Sequence, residues 1–327
     1  MFSATAHFVL HASKSALAGK RPVLIGAVSM LACGVVAWTV LAGIGKNAFR
    51  ALTRQSAMLA QGQTTAPVEL QRYRLLDGIP VEKGHTANPQ PVAIMIENLP
   101  VTRPQSGLSG ASIVYEALVE GGATRFLAVY AGAGPLSLSK IGPVRSARSY
   151  YLEWASEFGP LYGHAGGSPE ALRAILDFHM KDFNGIGREA RYFWRDRGLS
   201  APHNLFTSNE FITRALHDMD LTNGRPNFRS WFFKDEVPLA QRPASGQFVR
   251  IDFSGLAFQA EWRYDQATNA YLRLNAGQIH IDTLTGEQLR AKNVIVQVIP
   301  PVLAVGEKGR LTLDVHGRTE RVNRCAL

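Results

Sequence analysis

IVYEALVEGGATRFLAVY, residues 113–130, is the stretch on which the architecture turns. Residues 113–120 and 125–130 are rich in β-formers and flank Gly121-Gly122-Ala123-Thr124, a combination that predicts a hairpin. Strand alternation would put Val114, Glu116, Leu118 and Glu120 on one face and Ile113, Tyr115, Ala117 and Val119 on the other. Just upstream, VAIMI (92–96), bounded by Pro91 and Asn98, has the continuous apolar character of a buried strand. Downstream, residues 146–158 predict a helix with Tyr151, Leu152 and Ala155 on one side, and residues 161–165 predict another strand. Ser168-Pro169-Glu170 opens a second helix with an N-cap serine and a proline in the first turn. Thr207 and Glu210 have capping-box spacing ahead of a third. Helices and strands thus alternate through a mixed α/β, sandwich-like domain over residues 91–237.

After Pro238 the pattern becomes purely β. Residues 247–253, 258–264, 270–274, 278–281 and 293–299 read as strands, and the loop between Tyr264 and Tyr271 closes a hairpin. This predicts a smaller antiparallel β-rich domain over 238–327, so the fold class is α+β. The polar, weakly patterned residues 314–327 read as a shortened end of that domain.

The chain has 327 residues, with 35 Lys plus Arg against 26 Asp plus Glu. The first acidic residue is Glu69, and Lys14, Lys20, Arg21, Lys46, Arg50 and Arg54 precede it, so most of the basic excess lies in one flank. That placement suits a membrane surface and argues against a nucleic-acid partner. Within the flank, PVLIGAVSMLACGVVAWTVLAGIG (22–45) is uncharged. At roughly 1.5 Å per residue it is long enough for a hydrocarbon layer of about 30 Å, and it exceeds the apolar core of a cleaved signal peptide. The reading is a cytoplasmic leader over 1–21, a single transmembrane helix over 22–45 and a Pro- and Gly-punctuated stalk over 46–90, with the folded domains outside the cell membrane. Charges on the two sides of the span balance, so they do not set its orientation. Met30-Leu31-Ala32-Cys33 resembles a lipidation box, although apolar residues follow Cys33 where a mature lipoprotein turns polar.

Candidate chemistry concentrates in the first domain. Glu116 and Glu120 would share a face, with Arg125 opposite Glu120 as a cross-strand partner; two carboxylates beside an arginine suit either a salt bridge or acid–base work. Arg145 and Arg148 would meet on one face if a helix has begun by Arg145, and their guanidinium forks suit carboxylate or phosphate. The glycines between His164 and Ser168 lie at a strand-to-helix junction, where free N–H groups can receive an anion. His203 and Asn204 follow Pro202 ahead of the third helix and could meet that loop. No catalytic assignment follows: there is no G-x-S-x-G elbow, no Walker A, no G-x-G-x-x-G and no zinc-type spacing, so neither metal nor cofactor is expected.

PVAIMIEN (91–98), the hairpin, IGPVRSARSYYLEWA, GHAGGSP, APHNLFTS and the late YDQATNAYLRLNAGQIHIDTLTGEQLRAKNVIVQV together resemble the YerB-like lipoprotein family of bacterial envelope proteins, which carry paired domains of unknown function. The resemblance spans roughly residues 70–315. It implies an α/β domain followed by a β-rich one and an extracytoplasmic location, and it implies no established reaction. The chain departs from the family in having an apparent transmembrane anchor in place of a lipoprotein signal, and a second domain that stops early. The expected task is binding a polar or anionic envelope ligand, such as a wall polymer, or a wall-synthesis partner, through Glu116, Glu120, Arg125, Arg145, Arg148, His164, Ser168, His203 and Asn204. The alternatives are an envelope hydrolase using Glu116 or Glu120 as acid or base, and a structural scaffold of an envelope complex.

Overall fold

The computed structural model describes residues 72–81, 88–134, 138–223, 226 and 228–297, together with the backbone of strands over 308–315 and 318–326. The leader, the span over 22–45, Cys33 and most of the stalk lie outside the described residues. Among the described residues no helix is long and apolar enough to cross a membrane.

The first domain is built on a five-stranded sheet. Strand β1 (Val92–Glu97) is buried along its whole length, because Val92, Ile94 and Ile96 pack into one core while Ala93 and Met95 pack into another. Coverage on both faces explains its continuous apolar run. The predicted hairpin forms from β2 (Ile113–Leu118) and β3 (Thr124–Tyr130), paired antiparallel from Ile113↔Val129 to Leu118↔Thr124. Strand β3 also pairs antiparallel with β1, while β4 (Leu161–His164) and β5 (Asp182–Asn184) join in parallel, giving the order β2-β3-β1-β4-β5. Helices α1 (Ser149–Ser156) and α2 (Pro169–Asp177) cover the face of Ala93, Met95 and Leu127. Helix α3 (Asn209–Asp218) covers the opposite face, which Leu289 of the second domain also reaches. Ser168 and Ser208 cap α2 and α3. The second cap is one residue later than the capping-box spacing suggests, since the Thr207 hydroxyl instead donates to the Tyr192 carbonyl. Between α2 and α3, β6 (Trp194–Arg195) and β7 (Leu205–Phe206) form a short antiparallel ribbon.

Part of the segment read as stalk is integral to this domain. Tyr73 bridges Pro80 across a turn, Leu76 enters the core, and the buried Asp77 carboxylate accepts from the Ser112 hydroxyl at 2.5 Å.

The second domain is an antiparallel sheet of β8 (Phe248–Asp252), β9 (Gln259–Asp265), β10 (Ala270–Asn275), β11 (Gln278–Ile279), β12 (Arg290–Ala291), β13 (Lys308–Val315) and β14 (Arg318–Ala326). Its order is β11-β10-β9-β8-β13-β14, with β12 also beside β10. Two expectations are corrected here. Residues 293–297 make no strand pairing; Val294 is buried instead against Trp262 and Ala291. The polar residues 318–326, read as a weakly patterned end, form a strand that pairs with β13, which in turn pairs with β8. Leu118 of the first domain packs with Ile251, Phe253 and Ala260 of the second.

Candidate functional site

Strands β1, β4 and β5 run parallel, so their carboxyl ends share one edge of the sheet. In open α/β sheets that edge, outside the strand ends, is where ligands bind. Here β1 delivers Glu97, β4 delivers His164 and β5 delivers Asn184. The GPVRSARS segment is threaded through the same edge: the Arg145 N–H donates to the Met95 carbonyl at 3.0 Å, the Ala165 N–H to the Arg145 carbonyl at 3.0 Å and the Ala147 N–H to the Gly166 carbonyl at 2.8 Å. Arg148 is the N-cap residue of α1 and Ser168 that of α2, which places both helix N-termini beside this edge.

Arg145 and Arg148 both precede α1, so they do not share a helical face as the spacing suggested, and each takes its own carboxylate. The Arg145 guanidinium lies 2.9 Å from Glu97, a buried carboxylate that the sequence reading passed over. His203 Nδ1 stands 3.0 Å from the same carboxylate, so His203 meets Glu97 and not the His164 loop. Asn204 lies apart and ties the ribbon, accepting from Arg195 at 2.8 Å and donating to the Asp196 carbonyl at 3.0 Å.

Arg148 holds Glu120 with both arms of its fork, at 2.5 and 2.7 Å. Strand β2 ends at Leu118 and Glu120 sits in the following turn, so register places Arg125 opposite Ala117 on one side and Glu97 on the other, and the expected Glu120–Arg125 pair does not form. The bond from Arg148 keeps the Glu120 carboxyl below its ordinary pKa against a smaller effect of burial, which makes it a poor proton donor near neutrality.

Arg125 is therefore left in an unusual position. It is 8% exposed, its side chain donates from Nη1 to the Ser146 carbonyl at 2.6 Å, and among the described residues no carboxylate forms an ion pair with it. Burial and the nearby Arg148 charge both lower its pKa. Close to the same two arginines, the Tyr162 hydroxyl is fully buried and has no hydrogen-bond partner.

His164 is engaged at both ring nitrogens, Nε2 with Asp182 at 2.9 Å and Nδ1 with the Gly166 carbonyl at 2.7 Å. The Ser168 hydroxyl accepts from the Ala171 N–H at 3.2 Å as a helix cap. Neither side chain is arranged as half of a serine–histidine pair.

Glu116 points away from this edge into the seam between the two domains. It accepts from Arg273 at 2.8 Å, from the Thr124 hydroxyl at 2.8 Å and from Asn98 at 3.0 Å. Arg273, fully buried, also donates to His280 Nδ1 at 2.9 Å and stacks over Phe126 and Trp262. His280 Nε2 then reaches the Gln105 side chain at 2.7 Å, and its pKa is driven well below the ordinary value by burial and by Arg273 and Arg103. Asp282 completes the seam by accepting from the Gly107 and Ser109 N–H groups at 3.1 and 2.8 Å. Glu116 and Glu120 thus belong to separate structures, one between domains and one at the sheet edge.

Residues 76–222 match the N-terminal domain, and residues 249–322 the C-terminal domain, of a protein family of unknown function, DUF3048. The chain is 33% identical over 244 residues to the protein named "Putative lipoprotein YerB" of Bacillus subtilis (strain 168), covering 74% of this chain and 71% of that one. The crystal structure of YerB from Bacillus subtilis is similar with a TM-score of 0.61 at 30% identity, covering 76% of this chain and 85% of the other. With both domains matched in the same order and the likeness to YerB extending over most of each chain, the protein belongs to the DUF3048 family of paired-domain proteins.

Proposed function

We propose that this is an envelope protein, tethered to the membrane through residues 22–45, whose α/β domain binds an anionic group of a wall polymer at the carboxyl edge of its parallel strands. Arg125 and Arg148 are the receiving cations, and the Tyr162 hydroxyl is a further donor. The observation that carries this reading is Arg125, a buried guanidinium that forms no ion pair among the described residues and lies beside a second guanidinium. An uncompensated buried charge is costly, and an anion bound there would offset the cost. Around the edge, Glu97 takes Arg145 and Glu120 takes Arg148, so that of the three guanidinium groups Arg125 is the one not in an ion pair among the described residues, and the α1 and α2 N-termini lie beside it. The guanidinium fork suits phosphate and carboxylate alike. The name given to the Bacillus relative, a lipoprotein, supports an envelope location.

The test uses the full chain in detergent with inorganic phosphate as the probe and acetate as the carboxylate comparison, read as thermal stabilisation. A ligand at 100 times its Kd adds about 2.7 kcal/mol. Arg125→Gln should leave the unliganded protein as stable as before or more so, and should abolish the stabilisation by the anion. Loss of several kcal/mol in Arg125→Gln, with the anion response of the parent protein absent or retained by the variant, would make Arg125 structural and defeat the reading.

A further inference from the structure

Residues 231–233 are Trp-Phe-Phe, and they lie on the outside of the molecule, with Phe232 96% exposed and Trp231 and Phe233 36% and 42% exposed. They are fastened to the start of the fold. The Ser230 hydroxyl donates to the Leu75 carbonyl at 3.0 Å, and the Phe233 ring packs so closely on Gly78 that a Cβ there would come within 2.4 Å of it. Gly78 also has a φ of +67°, so glycine is required on both counts. Tyr73 and Ile79, on the same turn, are themselves about half exposed. The turn over 73–80 and the segment fastened to it thus carry five exposed aromatic and aliphatic side chains. A lone exposed apolar side chain needs no explanation, whereas five of them on two segments fastened together mark a surface that something covers.

We infer that this surface docks on the lipid bilayer, at the headgroup level of an anionic leaflet. The inference rests on the reading of residues 22–45 as a membrane anchor. Position is the first argument: the patch begins at Tyr73, and only residues 46–72 separate it from the uncharged run. Those 27 residues reach at most about 97 Å in any conformation. The bilayer is therefore always within reach, and tethering makes even a weak contact effective through local concentration. Chemistry is the second: Trp, Tyr and Phe with neighbouring cations is the composition of membrane interfaces, where an aromatic ring has an apolar body and a wet rim. Arg229 and Lys234 are exposed at the flanks of the triplet, where among the described residues Asp235 is the one opposing charge not held elsewhere, since Glu236 is held by Lys292.

The experiment takes the full chain with Cys33→Ser and Cys325→Ser, carrying a nitroxide at Phe232→Cys, reconstituted into vesicles containing phosphatidylglycerol. A second preparation carries the label at Ile279→Cys, an exposed position on β11 in the second domain. Flotation reports the anchor; collision rates with oxygen and with a neutral nickel chelate report the depth of each label. Docking predicts that the label at 232, lying about 5–10 Å into the interface, shows several-fold lower chelate access and higher oxygen access than the label at 279. Replacing phosphatidylglycerol by phosphatidylcholine should reduce that contrast. Chains that float while the two labels behave alike overturn docking and leave the anchor standing. Shielding of position 232 from both probes means that protein, such as a second copy of the chain, covers the patch, and it also overturns the inference. Failure to float removes the anchor and the docking with it.

Discussion

Glu116→Gln and Arg273→Met, alone and together, test whether the seam between the domains holds the fold. Glu116→Gln keeps the side-chain shape but leaves the Arg273 charge fully buried without its carboxylate. Arg273→Met does the converse and also takes the donor from His280 Nδ1. Breaking a buried pair on one side typically costs about 3–5 kcal/mol, because the remaining charge stays out of water. For a folded unit of this size about 2–4 °C of Tm is lost per kcal/mol, so each single variant should melt roughly 6–20 °C lower. The double variant leaves no orphan charge and should cost about 2–3 kcal/mol less than the sum of the singles. Denaturant unfolding of the full chain in detergent measures the cycle, and Trp262, stacked on Arg273, provides a local fluorescence signal. Single variants that each lose under about 1 kcal/mol would show that these residues do not hold the fold, and a double variant equal to the sum would show that they do not act as a pair.

Three further outcomes follow from the same geometry. The His280 ring stays neutral in the fold well below its ordinary pKa of 6.5, so as pH falls through 6.5 the unfolded chain gains a proton that the folded chain refuses. Stability contributed by this group is complete above pH 6.5 and falls by about 1.4 kcal/mol per pH unit below it; unfolding midpoints against pH should show this slope, and His280→Gln should flatten it. Arg145→Ala leaves the buried Glu97 with His203 alone and should cost about 2–3 kcal/mol by calorimetry, less than a wholly buried pair because Arg145 is partly in water. Gly163→Ala would bring a Cβ within 2.5 Å of Ile94 and 2.7 Å of the Phe183 ring, so a loss of roughly 1–3 kcal/mol is expected by the same method.

The first domain was legible where local signals are strong. The run over 92–96, the Gly-Gly hairpin and the Ser168 cap each specify their own element, and the structure contains them. The site was less legible because its charges pair across distance. Glu97 looked like the polar end of a strand, and nothing nearby marks it as the partner of Arg145 and His203. In AYLRLN, the alternation of Leu272, Arg273 and Leu274 suggests that arginine faces water; the first domain covers that face, and a cation on a strand cannot be assigned to the interior until its cover is known. The end of the chain failed for a related reason. NVIVQVI has β-forming residues but residues 293–297 find no neighbouring strand, whereas the polar 318–326 segment is a strand by virtue of its ladder to β13.

The order in which the second sheet is assembled bears on synthesis. Strand β8 lies between β9, which follows it after a short connection, and β13, which is made only after β9 to β12. A growing chain has all five strands of the first sheet by Asn184 and its third helix by Asp218, while β8 keeps one rim of N–H and C=O groups open until residues 308–315 emerge. A nonsense codon just after Ala291 would therefore spare every strand of the first domain and convert β8 into a template for pairing with other chains. Clinging, insoluble truncation products, rather than a soluble protein that has lost its binding, are the phenotype this strand order dictates.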